Sequence, residues 1–321
     1  MVVDANFYMS LALKEAWKYQ GLTYPNPAVG CIVVGKYGEI LAVEAHKKAG
    51  KPHAEVKALK TAYIKLTNDE KLLHVENSTD IHTYLLNNHN NCFKDTTIYT
   101  TLEPCSHIGK TPSCANLISK LGIKALHVGS NDLNKEASGG NEILRNSGLH
   151  VEMSPLHVAC DDLLEPFKLW KKDKFVFFKW AQRLDGSTDG EVSSIKSRIN
   201  VHAMRDVCDL LVIGGNTVRE DRPTLDARLV NGKAPDILIY SRQKDFDKNI
   251  SLFNVVNRKV IISDNLAEIN SYKNIMIEGT QKMMELTKYI VDYHLCYLHV
   301  EDKFDILNKE KEDIISWLKR K

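Results

Sequence analysis

Two short segments constrain this chain more than anything else in it. They are Pro52-His53-Ala54-Glu55 and the run Thr101-Leu102-Glu103-Pro104-Cys105, which leads to a second thiol at Cys114. Together they hold one imidazole, two thiols and a carboxylate left over. A catalytic zinc takes three protein ligands and leaves its fourth tetrahedral position to a water, whose pKa falls toward neutrality. His53, Cys105 and Cys114 are the candidate ligands, and Glu55 is not needed as one. A structural zinc is normally closed by a fourth protein ligand, and no further Cys or His has suitable spacing. The local pattern agrees: Pro52 suits a helix start, Ala54 to Tyr63 is rich in helix formers, and Cys114 opens a second helical run to Leu121, closed by Gly122. Two positive helix ends then face the metal and favour thiolate.

The H-x-E and P-C spacing resembles the zinc nucleobase deaminases, which implies that Glu55 takes a proton from the water and passes it to a leaving amine. The gap from Cys105 to Cys114 is longer than the C-x-x-C of many of them. With Thr23-x-Pro25-Asn26-Pro27-Ala28-Val29-Gly30 upstream and Thr101 to Cys114 reading TLEPCSH-x-GKTP-x-C, the chain resembles the deaminase half of the bifunctional riboflavin-biosynthesis deaminase/reductases. That resemblance implies a cytidine-deaminase-like three-layer α/β/α domain over 1–153, one zinc per chain and a phosphoribosylated diaminopyrimidine as substrate. Asn26, held between two prolines, is a candidate to hydrogen-bond the pyrimidine. Ser106, His107 and Lys110 form the loop between the thiols, which in the family helps hold the substrate, and the Lys110 cation suits a phosphate.

The second half extends the resemblance. Phe175 to Ala181 is an apolar strand, and Lys179-Trp180-Ala181 with Arg183-Leu184-Asp185-Gly186 resembles the reductase entry K-x-A-x-S-L-D-G, with Arg183 in place of Ser. Gly214-Gly215 and the following Asn216 to Arg228 resemble G-x-x-T-V-x-x-D-x-P-x-L-x-x-R. The implied fold for 175–321 is a dihydrofolate-reductase-like α/β domain, joined by a connector over 154–174. The implied NADPH contacts are Ala181, Thr217, Asp221, Ser241, Gly279 and Thr280; the implied substrate contacts are Arg205, Leu225, Arg228 and Glu278. Thr280 stands where the family has a second glycine. It is expected in an ordinary backbone conformation, its hydroxyl offered to the cofactor phosphate, and the alternative is a decayed reductase beside an active deaminase.

The rest of the chain bounds these readings. At 321 residues two domains are expected, and 43 Lys and Arg against 41 Asp and Glu leave no electrostatic footprint for nucleic acid. A nucleic-acid base deaminase, the rival reading, needs a basic face and leaves the second half without a task. No apolar run approaches a membrane span and the N-terminus lacks a signal pattern, so the expectation is a soluble cytoplasmic enzyme without a membrane partner; homo-oligomerisation is left open. Seven scattered cysteines argue against a disulfide framework. Phe7 to Gln20 reads as an amphipathic helix, and Val29 to Val34, Glu39 to His46, Thr96 to Leu102, Lys124 to Ser130 and His150 to Met153 as strands. The stretch 66–95 reads as a solvated insertion of one or two short helices, in which His74, His82 and His89 are not a second metal site. Ser154 to Lys172 has helical periodicity interrupted at Pro166, and 301–321 reads as a solvated amphipathic helix.

Overall fold

A computed structural model divides the chain into two compact units, Met1–Phe167 and Lys168–Lys321. The structure describes residues 4–320 except 108, 110, 135, 189, 191, 301–303, 306–309 and 312.

In the first unit, α1 (Ala5–Trp17) starts at Asp4, whose carboxylate accepts the Phe7 N–H at 3.1 Å, a side-chain N-cap. There follow β1 (Gly30–Val34), β2 (Ile40–Ala45), α2 (Ala54–Thr67), α3 (Ser78–Asn88), β3 (Thr97–Thr100), α4 (Cys114–Ile118), β4 (Ala125–Val128), α5 (Gly140–Asn146) and β5 (His150–Met153). The sheet runs β2-β1-β3-β4-β5, with β1 antiparallel to both neighbours and β3, β4 and β5 parallel. Every residue of β1 is buried because helices cover both faces. Cys31 and Val33 join one core with Val56, Leu59 and Leu117, while Ile32 and Val34 join another with Met9 and Ala12 of α1. Alternation along one strand thus feeds two cores, and the result is the expected three-layer α/β/α domain.

The 66–95 stretch departs from expectation. It is helical in part, but it is not solvated: Leu72, Ile81, Leu85 and Phe93 enter the α2 core, and His82 is buried. Its apolar residues are few among many polar ones, and these four are buried while Leu66 and Leu73 stay exposed. Asp69 anchors the excursion by accepting from the hydroxyls of both Tyr63 and Tyr84.

The division between units falls within α6 (His157–Lys172), which continues through Pro166. An interior proline costs a helix about 3 kcal/mol. Here Leu163 and Leu164 before it and Trp170 after it are buried, and that packing outweighs the lost bond. The second unit contains β6 (Phe175–Arg183), α7 (Ile195–Val207), β7 (Leu210–Gly214), α8 (Gly215–Asp221), β8 (Asp236–Tyr240), β9 (Val260–Ser263), β10 (Asn274–Glu278), α9 (Gln281–Thr287) and β11 (Tyr293–His299). A short pair, β12 (Phe304–Asp305) and β13 (Glu310–Lys311), precedes β14 (Ile314–Lys319). The main sheet is ordered β14-β11-β6-β10-β7-β8-β9, parallel throughout except for β14 at its edge. The expected helix at the end of the chain is therefore corrected to a strand. Trp317 packs on the rings of Phe175, Phe177 and Tyr293, a contact with residues remote in sequence that overrides the local charge pattern. Among the described residues, no helix is long and apolar enough to cross a membrane.

Candidate active sites

The first site is built at the starts of α2 and α4 and at the loop after β3. His53 is the N-cap of α2 in an extended conformation, so the two residues after it lie in the first helical turn. Cys114 opens α4 behind the cap Ser113, whose hydroxyl donates to the Cys105 carbonyl at 2.8 Å and accepts the Asn116 N–H. The Cys114 N–H in turn points at the Cys105 sulfur, at 3.4 Å. These bonds bring the two thiols to one imidazole: His53 Nδ1 lies 3.6 Å from Cys105 Sγ and 3.4 Å from Cys114 Sγ. A tetrahedral zinc with ordinary Zn–N and Zn–S bonds separates such donors by about 3.5 Å, so the three atoms fit the metal. Among the described residues this is the one group of three or more His, Cys, Asp or Glu side chains close enough to share an ion.

The surroundings favour ionised sulfur at Cys105. A hydrogen bond from the Cys114 side chain pulls the Cys105 thiol down to about 4, while the Cys105 thiolate and burial push Cys114 well up. Burial works against protonated His53, but the bond to Cys105 and the charges of Glu55 and Cys105 together raise it above the usual imidazole value. With Nδ1 on the sulfurs, His53 Nε2 faces the Thr111 hydroxyl at 3.4 Å, a second contact that orients the ring. Glu55 is 4 % exposed, and burial raises its carboxyl to about 7 against the opposing pull of His53.

Asn26 reaches this site through a residue the sequence did not single out. Its Nδ2 is 3.1 Å from His46 Nε2, and His46 Nδ1 is 3.2 Å from the Pro52 carbonyl. The carbonyl can only accept, so His46 carries its proton on Nδ1, its Nε2 accepts from Asn26, and the Asn26 Oδ1 is turned away from it. Burial holds His46 neutral, lowering it to about 4, and its ring meets that of His53 edge-on at 5.4 Å. Glu103 is the other unanticipated member. Nearly buried, it accepts the N–H groups of Asp132 (2.9 Å), Gly139 (3.1 Å) and Asn141 (2.9 Å). It thereby ties the α5 start to the Cys105 loop, and Gly140 has no room for a Cβ, which would fall 1.8 Å from the Pro104 carbonyl oxygen. Its signal was the carboxylate beside Pro104-Cys105, whose partners lie too far along the chain to be read.

The remaining loop residues are less uniform. Ser106 Oγ sits on the carbonyls of Ala137 and Ser138, His107 is exposed, and Lys110 lies outside the described residues.

In the second unit, Arg205 of α7 meets Glu278 at the end of β10 through both carboxylate oxygens, at 2.9 and 3.0 Å, with both side chains largely buried. Burial would raise Glu278, but Arg205 and Lys179 together hold it below the usual carboxylate range. Lys179 of β6, absent from the sequence-based site, stands opposite Glu278 in register and over the Tyr297 ring at 5.6 Å. Burial lowers its ammonium and Glu278 opposes this. Its signal was the lysine of Lys179-Trp180-Ala181. Arg205 also reaches the Asp226 carbonyl, and Asp226 pairs with Arg228 at 2.7 Å, so three of the four expected substrate residues converge. Leu225, the fourth, is buried with φ +54°, and Arg258 holds its loop by donating to the carbonyls of Thr224 and Leu225. Ala181 lies one turn of pleat beyond Lys179, paired with Tyr297.

The residues expected to hold the cofactor are spread over β6, α8 and the positions that follow β8 and β10. Gly215 opens α8 with the would-be Cβ 2.6 Å from Ser241, so only glycine fits there, and Thr217 follows in that helix. Asp221 ends α8 and is exposed. Gly279 packs against Met283, and Thr280 is the N-cap of α9 with φ −85° and ψ 177°, an unstrained extended conformation with no capping bond from its hydroxyl.

Comparison with known proteins agrees with both halves. The family model of the cytidine and deoxycytidylate deaminase zinc-binding region matches residues 3–130, and that of the RibD C-terminal domain matches 174–315. The riboflavin biosynthesis protein RibD of Aquifex aeolicus is 35 % identical over 270 residues, covering 81 % of this chain and 68 % of its own length. That of Actinobacillus pleuropneumoniae is 31 % identical, with 84 % and 68 % covered. A solved diaminohydroxyphosphoribosylaminopyrimidine deaminase/5-amino-6-(5-phosphoribosylamino)uracil reductase from Thermotoga maritima superposes with a TM-score of 0.64 at 26 % identity, covering 98 % of each chain. Acinetobacter baumannii RibD shares the fold, with a TM-score of 0.60 at 22 % identity and 98 % of each chain covered.

Fold and site together define a zinc-binding deaminase domain joined to a dihydrofolate-reductase-like reductase domain. The chain belongs to the RibD family, the bifunctional deaminase/reductases of riboflavin biosynthesis.

Proposed function

We propose that the first unit hydrolyses the ring amine of 2,5-diamino-6-(5-phosphoribosylamino)pyrimidin-4-one, and that the second uses NADPH to reduce the ribosyl side chain of the product to ribityl. The observation that carries the reading is the convergence of His53 Nδ1, Cys105 Sγ and Cys114 Sγ beside a buried Glu55. Zinc, when bound by those three, supplies the Lewis acidity that makes the attacking water nucleophilic at neutral pH. Glu55 holds a proton at a carboxylate oxygen: it takes one from the water and delivers it to the leaving amine, so that the carbon–nitrogen bond breaks, ammonia departs and a carbonyl remains. The raised carboxyl supports this role, since an acid near neutrality both accepts and releases. Asn26, with its Oδ1 turned away from His46, is an acceptor for an amino group on the ring, and Ser106, His107 and Lys110 are the further residues that the family resemblance assigns to the substrate.

In the second unit NADPH supplies the electron pair of the reduction. Arg228, on the exposed side, offers its guanidinium to the substrate phosphate, Arg205 stands by it and holds Glu278, Glu278 orients the opened sugar beside Lys179, and Leu225 packs on the substrate. Ala181, Thr217, Asp221, Ser241, Gly279 and Thr280 form the cofactor's bed. The unstrained Thr280 and the intact Arg205–Glu278 pair favour a working reductase over a decayed one. The protein acts on small molecules in the cytoplasm, and not on nucleic acid. Incubating zinc-loaded protein with the diaminopyrimidine, with and without NADPH, tests both halves: ammonia release without NADPH and NADPH oxidation only after deamination are expected. Absence of ammonia release refutes the first assignment, and absence of oxidation the second.

A further inference from the structure

Around the end of β8 lies a cation that the reaction above does not use. Lys179, Glu278, Ile213 and Ile239 stand level on the adjacent strands β6, β10, β7 and β8. Three inter-strand steps, about 14 Å, thus separate the reducing end of the site from the end of β8, and an extended dinucleotide covers that span. Where β8 ends, Ser241 closes against Gly215 at the start of α8. One turn on, Arg219 lays its guanidinium on the face of Phe246, 4.1 Å from the ring centroid. Phe246 is itself buried and gives a fixed shelf. The guanidinium donates to Ser241 Oγ at 3.4 Å and to the Gln243 carbonyl at 3.3 Å, both neutral acceptors. Neighbouring cations are neutralised: Arg222 by Asp247 at 2.5 Å and Lys244 by Asp264 at 3.1 Å. Among the described residues no carboxylate forms a salt bridge with Arg219.

We infer that Arg219, shelved on Phe246 beside Ser241, is the residue that selects NADPH over NADH, by pairing with the phosphate on the adenosine ribose that only NADPH carries. The inference rests on the reading of NADPH as the reductant. A phosphomonoester carries close to two negative charges at neutral pH and offers three acceptor oxygens. A guanidinium fork matches two of them, and the Ser241 hydroxyl, which donates to the Gln243 carbonyl at 2.8 Å, adds a donor by turning to the phosphate. Stacking on Phe246 pre-organises the fork, so little side-chain freedom is lost when the phosphate arrives. NADH presents a hydroxyl there, which leaves the charge unanswered.

The test is equilibrium titration of the full chain with NADP+ and NAD+, followed by tryptophan fluorescence. Wild type should hold NADP+ the more tightly, by about tenfold to hundredfold, the range of a charge-assisted contact. Arg219→Gln should lose most of that margin by weakening NADP+ alone, and Arg219→Lys, which keeps the charge but not the fork or the stack, should fall between. Added salt should narrow the preference of wild type and leave that of Arg219→Gln unchanged. In wild type, 2′-AMP should displace NADP+ better than 5′-AMP does, a measurement that needs no variant to fold. Equal weakening of both dinucleotides, an unchanged preference in Arg219→Gln, or no advantage of 2′-AMP overturns the inference. Binding of neither dinucleotide by wild type is a different result, and it removes the NADPH reading itself.

Discussion

The two sites are assembled in opposite ways. In the first unit the candidate ligands come from two helix starts and one strand end, and the two thiols are fixed by bonds within one short stretch: Ser113 caps α4 next to Cys114, and Cys105 accepts from Cys114, while His53 is brought to them by the start of α2. In the second, Lys179, Arg205, Asp226 and Glu278 come from four separated stretches, and each is held by the others. A metal fixes its ligands to within a few tenths of an ångström and leaves a compact motif. An organic substrate and a dinucleotide need a long row of strand ends, so no two contacts have to be close in sequence.

This contrast predicts independent failure. The largest effect is expected for Cys105→Ser or Cys114→Ser: zinc content should fall from about one per chain to near none, deamination should vanish, and NADPH binding should persist. Metal analysis beside a cofactor titration checks it, and full zinc in both variants, or loss of NADPH binding with the metal, breaks the comparison. Next comes Glu55→Gln, which should keep zinc and lose deamination by at least about a hundredfold. Near-normal ammonia release from that variant would place the proton shuttle elsewhere.

The second site should fail through its charges. Glu278→Ala leaves a largely buried Arg205 unpaired and should cost about 3 kcal/mol of stability in that unit, along with reductive turnover, while zinc and deamination are untouched. The pair also has a pH signature. Because Glu278 is depressed in the folded state, its stabilisation is complete above the unfolded carboxyl value near 4.5 and is lost as pH falls through the lower folded one. Wild type should therefore lose stability across that acid window more steeply than Glu278→Gln, as read by denaturant melts at several pH values; equal slopes would show that the pair is not ionised as described. A smaller effect sharpens the link inside the first site. Glu103→Gln keeps one acceptor oxygen where the carboxylate serves three N–H groups, and should cost about 1 to 3 kcal/mol with a partial loss of zinc affinity. An unchanged melt would mean that Glu103 does not hold the α5 start. Least of all should change with Leu318→Lys on β14: half-exposed at the edge, it should shift stability by no more than about 0.5 kcal/mol, and a collapse would show that this face is covered.

The sequence by itself determined the metal set, because the spacing His53-x-Glu55 and the turn from Cys105 to Cys114 are local, and local hydrogen bonds suffice to shape them. It determined the strands of both units wherever apolar runs met glycine or proline punctuation, as at Val29 to Val34 and Phe175 to Ala181. Through the family resemblance it pointed to Arg205, Arg228 and Glu278 one by one, though not to the fact that Arg205 and Glu278 bind each other. What only the tertiary structure decided depends on partners far along the chain. Residues 66–95 look solvated because their apolar side chains are sparse, but the α2 core takes in Leu72, Ile81, Leu85 and Phe93. The end of the chain looks helical by charge, yet pairing with β11 and the rings under Trp317 make it a strand. Glu103 and Lys179 stand in motifs that do not say what they bind, and His46 and Arg219 stand in none. Each owes its character to a neighbour that only folding supplies: the Asn26 amide, the α5 backbone, the Glu278 carboxylate and the Phe246 ring.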